Sequence, residues 1–168
     1  MIWWQKFEAL VDNIMINKSL LIAALLLSPF AMATDESEAG AVLDALHSHA
    51  AKADWPAYFA IYTDNAVFIG TAVEERWNMD EFRRYATPTK GWDYQPKSRH
   101  FIEHGDTLLF DEILYNDKYG TSRGTGAMVK TAKGWQVLQY HLSFPVPNEV
   151  AKEVTQTIMA FEKSQSGR

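Results

Sequence analysis

The sequence predicts an α+β domain, on three observations. Apolar residues recur at helical spacing between Ser37 and Pro88, strand-like segments separated by turn signals take over from about Tyr94, and the helical half precedes the strand half. At 168 residues, 47% hydrophobic and 13% aromatic, the chain suffices for one domain with a sizeable core and is too short for two ordinary ones. A formal charge of -5 without any Lys/Arg run argues against nucleic acid as a partner, because neutralising phosphates needs a clustered basic surface. With no Cys, disulfides, thiol nucleophiles and thiolate metal sites are excluded.

The amino-terminal segment reads as a targeting signal. Lys18 precedes an apolar run from Leu20 to Leu27, and Ala31-Met32-Ala33 supplies small residues before the chain turns acidic at Thr34-Asp35-Glu36. Residues 1–33 are therefore expected to be a signal peptide, with a mature start at Thr34 and a periplasmic or secreted product. Glu8 and Asp12 are out of place in such a signal, which points to Met15 as the true start. Ser28-Pro29 interrupts the apolar run short of the roughly 20 residues a spanning helix needs. No stable membrane insertion is expected after cleavage, and an uncleaved anchor is the alternative. Removing this segment takes away equal numbers of acids and bases, so the mature charge is unchanged.

In the mature chain, Val42, Leu43, Leu46, Ala50 and Ala53 mark one buried face of a first helix over Ser37 to Ala53. His47 and His49 on it point about 200° apart around the axis, so they cannot chelate one metal and read as solvent-facing or satisfied. Asp54-Trp55-Pro56 is a cap followed by a proline in the first turn, opening a second helix that runs through Tyr62 and ends at Asp64-Asn65. Ala66 to Gly70 reads as a short strand, and Asn78-Met79-Asp80-Glu81-Phe82 opens a third helix that stops before Pro88. Turn signals at His104-Gly105-Asp106, Asn116 to Gly120 and Thr131 to Gly134 then divide a strand meander, closed by Pro145-Val146-Pro147-Asn148. A terminal helix is predicted within residues 149–168, with Val150, Val154, Ile158 and Phe161 on one side.

Four features carry a family resemblance: the order helix, helix, strand, helix, strands; Phe68-Ile69-Gly70-Thr71 leading to Glu75-Arg76-Trp77; Tyr119-Gly120 before Arg123-Gly124-Thr125-Gly126; and Gly134-Trp135 leading to Tyr140-His141-Leu142-Ser143. In these the chain resembles a SnoaL-like domain of the nuclear-transport-factor-2-like superfamily, over roughly Glu38 to Asn148. The resemblance implies a cone-shaped fold with three N-terminal helices packed on a curved antiparallel sheet, the domain occupying residues 34–148. It also implies a cavity, which Trp77 is expected to cover. Members of the superfamily include isomerases, cyclases, dehydratases, ligand carriers and association domains, so the fold leaves activity open. Its isomerising and dehydrating members use a Tyr with paired acids, or a His with an acid. Here Tyr58, Tyr62, Tyr115 and Tyr140 offer phenols, but Glu112 has no apparent second acid beside it.

Register narrows the cavity wall, because opposed residues on antiparallel strands share a face and a one-residue slip exchanges faces. A turn centred on Asp117-Lys118 puts Glu112 opposite Arg123. A turn over Thr131 to Gly134 puts Arg123 opposite Leu142 and Thr125 opposite Tyr140. One face then carries Leu108, Phe110, Glu112, Leu114, Arg123, Thr125, Leu138, Tyr140, Leu142 and Phe144, apolar except for a few polar groups, as a small-molecule cavity would be. A first turn on Gly105-Asp106 brings Arg99 inward, whereas a slipped register brings His100 inward, and both stay open. His141 and Ser143 fall on the other face, and no Gly-x-Ser-x-Gly elbow is present, so a nucleophilic triad is not expected.

These readings converge on an exported domain that binds a small, partly apolar ligand, an anionic group being one option, and that pairs as a homodimer through the outer sheet face. The expected ligand contacts are Tyr62, Trp77, Arg99, His100, Phe110, Thr125, Leu142 and Phe144. One alternative is a cofactor-free isomerase, dehydratase or cyclase with Glu112 as general base, Arg123 as electrostatic stabiliser and Tyr140 as donor. Another is an association module with a filled cavity, and Glu112 and Arg123 also read as a structural ion pair. No cofactor and no metal are expected: His100 and His104 share a strand face but stand about 13 Å apart by strand rise, too far for one ion.

Overall fold

The computed structural model describes residues 34–166, so the targeting signal read in residues 1–33 lies outside the described residues. Helix α1 (Asp35–Ala51) starts where the Thr34 hydroxyl accepts the Ser37 N–H, and its first turn holds Asp35, Glu36 and Glu38, the charges that favour a helix N-terminus. It buries Ala39, Leu43, Leu46, His47 and Ala50, so His47 belongs to the core face. Helix α2 (Trp55–Ala60) is capped by Asp54 as expected but ends earlier than predicted. Tyr62 is already in strand β1 (Tyr62–Ile69), whose buried positions include Tyr62, Ala66 and Phe68.

Strand β2 (Arg76–Asn78) folds back antiparallel on β1, pairing Phe68 with Trp77, and the Gly70 N–H donates to the Glu75 carbonyl at 2.7 Å to close the turn. Asn78 then caps α3 (Met79–Ala86) in a reciprocal capping box with Glu81. A long meander follows: β3 (Gln95–His104), β4 (Thr107–Asn116), β5 (Gly120–Thr131) and β6 (Gly134–Ser143). The six-stranded sheet has the order β2-β1-β6-β5-β4-β3, and β1 runs parallel to β6, so the sheet is mixed where a purely antiparallel one was expected. Helix α4 (Ala151–Ser166) comes last and buries no residue.

The core lies between the helices and the inner sheet face, and it is aromatic. Phe68 stacks on Phe82 at 3.9 Å between centroids and on Tyr140 at 6.0 Å, while Tyr58 meets Phe59, Phe82 and Trp92 edge-on. Offset-stacked and edge-to-face pairs of this kind add to what ring burial alone supplies.

Register decides which side chains reach this core. The first turn is centred on Gly105-Asp106, so Arg99 pairs with Glu112 and points inward. Between β4 and β5 the loop has three residues instead of two. Asn116 pairs with Gly120, which takes a left-handed φ of 71° that glycine tolerates, and Glu112 thereby opposes Gly124. The turn from Thr131 to Gly134 is as predicted, but a bulge between Ala127 and Met128 offsets the far ends of β5 and β6, placing Gly124 opposite Leu142 and Gly126 opposite Tyr140. Strand β5 is thus one residue out of the predicted register against both neighbours.

Candidate functional site

Glu112 sits in the middle of β4 with its side chain fully buried. Charge in such a place demands partners, and four contacts supply them. His47 Nε2 and the Tyr140 hydroxyl both donate to Oε1 at 2.8 Å. Arg99 grips Oε2 through Nε at 2.9 Å and Nη2 at 2.8 Å. Arg99 is held in turn by the Gly40 carbonyl at 3.1 Å and by Asp44 Oδ1 at 3.0 Å, both on α1. Helix α1 and strands β3, β4 and β6 are therefore tied by one polar cluster inside an apolar core.

The electrostatics follow from this geometry. Burial pushes the Glu112 carboxyl up, but the hydrogen bond and charge of His47, the Arg99 charge and the Tyr140 hydrogen bond outweigh it and hold the group below the ordinary carboxylate range. The Tyr140 hydroxyl is driven well above its ordinary value by burial and by the neighbouring Glu112 charge, so it stays a neutral donor. Tyr58 and Tyr62 share a 2.9 Å hydrogen bond between hydroxyls, and burial raises both. Gly124 makes room for the cluster: a Cβ there would stand 2.2 Å from the Tyr140 hydroxyl oxygen and 2.9 Å from Glu112 Oε1.

Several sequence-derived assignments need correcting. Arg123 is exposed on the outer sheet face, opposite Ile113 and Ser143, and does not meet Glu112. Thr125 lies on that face too, between Asp111 and His141, and His100 opposes Asp111 there. Phe144 lies just beyond β6, exposed, with its ring 5.4 Å from that of Tyr119. Glu112, Tyr140, Arg99, Phe110, Tyr62 and Leu142 do face inward, with Leu142 half-buried. Of the two readings of His47, satisfied or solvent-facing, the structure shows the satisfied one, and the sequence signal for its burial is its place four residues after Leu43 and three before Ala50, on the apolar stripe.

A cavity of about 430 Å³ opens elsewhere, between α3, the segment around Gly91 to Tyr94 and the β4–β5 turn. Phe68, Trp77, Phe82, Tyr85, Trp92, Tyr94 and Tyr119 give it aromatic walls, while Glu75, Asp93, Asn116 and Lys118 add polar groups. Trp77 is half-buried against Phe82 at 5.8 Å and Tyr85 at 4.6 Å, forming a wall of this cavity. Glu112 and Tyr140 are not among its lining residues: Phe110 and Tyr140 fill the deep cone beneath. His47 borders a smaller hollow of about 270 Å³ beside Asp44, Tyr94 and Pro96.

Helices closing one end of a six-stranded mixed sheet, with a polar cluster deep inside the cone, define a nuclear-transport-factor-2-like protein. Residues 40–147 match the model of the SnoaL-like domain, and the chain belongs to that family. Solved structures agree on the fold. A nuclear-transport-factor-2-like protein of unknown function from Pseudomonas putida KT2440 superposes with a TM-score of 0.58 at 17% identity, over 68% of this chain and 89% of that one. A domain with a cystatin-like fold from Nostoc punctiforme PCC 73102 gives 0.60 at 12% identity, over 82% and 100%. A ketosteroid isomerase-like protein from Erwinia carotovora atroseptica SCRI1043 gives 0.52 at 21% identity, over 69% and 100%. No curated protein matches the chain at a significant level.

Proposed function

We propose that this SnoaL-like protein is an exported small-molecule binder whose ligand enters the aromatic cavity at the cone mouth. One observation carries the reading: the accessible cavity, about 430 Å³, is walled by aromatic rings, while the buried acid of the chain is sealed away from it. That volume and lining suit a compact, partly apolar ligand. Glu112 is a poor general base, since Arg99 and His47 hold it ionised below the useful range and its acceptor sites are occupied. Arg123, the intended stabiliser of negative charge, points away. Binding without chemistry is accordingly favoured over isomerisation or dehydration.

The test is mass spectrometry of small molecules retained by the protein purified from its export compartment. A molecule released unchanged, and lost on Trp92→Ala, is the expected result. Turnover of a ligand that Glu112→Gln abolishes would sink the binder reading in favour of the enzyme. Export itself predicts that the chain recovered from outside the cytoplasm begins at Thr34.

Pairing through the outer sheet face is part of the same proposal. Ile102 is 67% exposed there and Leu109 opposes it, also exposed. Light scattering should report a dimer that Ile102→Glu dissociates.

A further inference from the structure

The cavity at the cone mouth is walled by aromatic rings and carries two carboxylates against one ammonium, and we infer that it selects an organic cation, an alkylated ammonium carried by a small molecule. This inference rests on reading that cavity as the ligand site. Trp77 and Trp92 supply two indoles, the rings with the strongest attraction for a cation held over their faces. They are linked through Phe82, which stacks on Trp77 at 5.8 Å and on Trp92 at 6.1 Å, so the wall is continuous. Tyr85, Tyr94 and Tyr119 add three phenol rings to the same lining. Two carboxylates, Glu75 and Asp93, line it against a single ammonium, that of Lys118.

Lys118 strengthens the argument. Its Nζ lies 4.9 Å from the centre of the Tyr119 ring, so a wall ring of the cavity already takes a cation on its face, one that the chain itself supplies. Glu75 is placed rigidly as well, because its Oε2 accepts the Ala72 N–H at 3.1 Å. An anionic ligand would meet the fixed Glu75 carboxylate, the exposed Asp93 carboxylate and the negative faces of the rings, with Lys118 alone to offset them. A neutral apolar ligand would fill the volume but make no use of the negative charge along the wall.

Choline and its uncharged isostere 3,3-dimethylbutan-1-ol separate shape from charge, with calorimetry on the purified protein as the readout. Choline should bind at least about fivefold more tightly than the alcohol. Lys118→Gln, which removes a competing cation at the rim, should tighten choline about two- to fivefold and leave the alcohol unchanged. Tyr119→Leu, at a half-exposed position, should weaken choline. Phosphocholine binding more tightly than choline, with the gain lost in Lys118→Gln, would keep the cation and assign it to a phosphorylated carrier. Equal binding of choline and the alcohol would overturn the cation inference and leave the binder reading standing. Absence of choline binding, or its weakening by Lys118→Gln, would overturn it too, while retained-ligand mass spectrometry judges the binder reading separately.

Discussion

Glu112 is where a single residue decides most, because a fully buried carboxylate is tolerated only while its partners stay in place. Glu112→Gln keeps the shape but removes the buried counter-charge of Arg99, leaving it only the exposed Asp44 carboxylate, and breaking a buried pair in this way costs about 3–5 kcal/mol. Urea unfolding should show that loss. Acid should act on the same group with a definite sign. The folded carboxyl lies below the ordinary glutamate value of 4.5, so its contribution is fully present above that pH and is lost as pH falls through the folded value. Stability of the parent chain should therefore drop more steeply below about pH 4.5 than that of Glu112→Gln, measured by urea midpoints along a pH series. Gly124 is the complementary position, where the demand is for empty space. A methyl group there collides with the Tyr140 hydroxyl and with Glu112, so Gly124→Ala should destabilise by about 2 kcal/mol although alanine normally strengthens a strand. An unchanged melting temperature for Gly124→Ala would mean that the cluster is looser than its distances imply.

Elements were legible in the sequence where the signal was local. The cap at Asp54, the helix start at Asn78, the apolar stripe of α1 and the turns at Gly105-Asp106 and Thr131 to Gly134 all specify their own neighbourhoods, and each is found in place. Strand β5 shows where local signals run out. A two-residue and a three-residue hairpin loop fit Asn116 to Gly120 equally well on paper, and the bulge near Leu138 has no signature of its own. These two errors matched: β5 slipped by one against β4 and against β6, so the predicted face of β4 and the inward places of Tyr140 and Leu142 were right while Arg123 and Thr125 were turned the wrong way, and at the bulge Val137 is fully buried where Leu138 is only half-buried. Packing settles the matter, since the small Gly124 and Gly126 fit beneath Tyr140 and Phe110 where an inward Arg123 would not. The parallel pairing of β1 with β6 joins segments some seventy residues apart in sequence, a contact no turn signal encodes. Helix α4 lies at the other extreme, since it buries none of its residues. Ending the chain after Asn148 should shift stability by less than about 0.5 kcal/mol, and coincident melting curves for the two chains are the check.

Across the whole molecule, stability and binding are housed in different depths of one cone. The deep half is closed by Phe110, Tyr140 and the Glu112 cluster, and the mouth is open and aromatic. The family was legible in the sequence because its motifs mark strand ends and turns. The site was not, because the cavity is assembled from α3, the segment around Trp92 and the β4–β5 turn, brought together only by the tertiary fold. If the two depths are independent, a change in the cluster that preserves ring packing should alter stability and spare the cavity. Tyr140→Phe is that change. It removes one hydrogen bond to a buried charge, worth about 1.5–3 kcal/mol, yet keeps the ring that stacks on Phe68 beneath the cavity. Phe68 belongs to both depths, but the Tyr140 ring keeps its stack on it, so ligand affinity should stay within about twofold while the urea midpoint falls. Should Tyr140→Phe abolish binding with the fold intact, the ligand must reach the deep cone, and Glu112 and Tyr140 return as the catalytic pair.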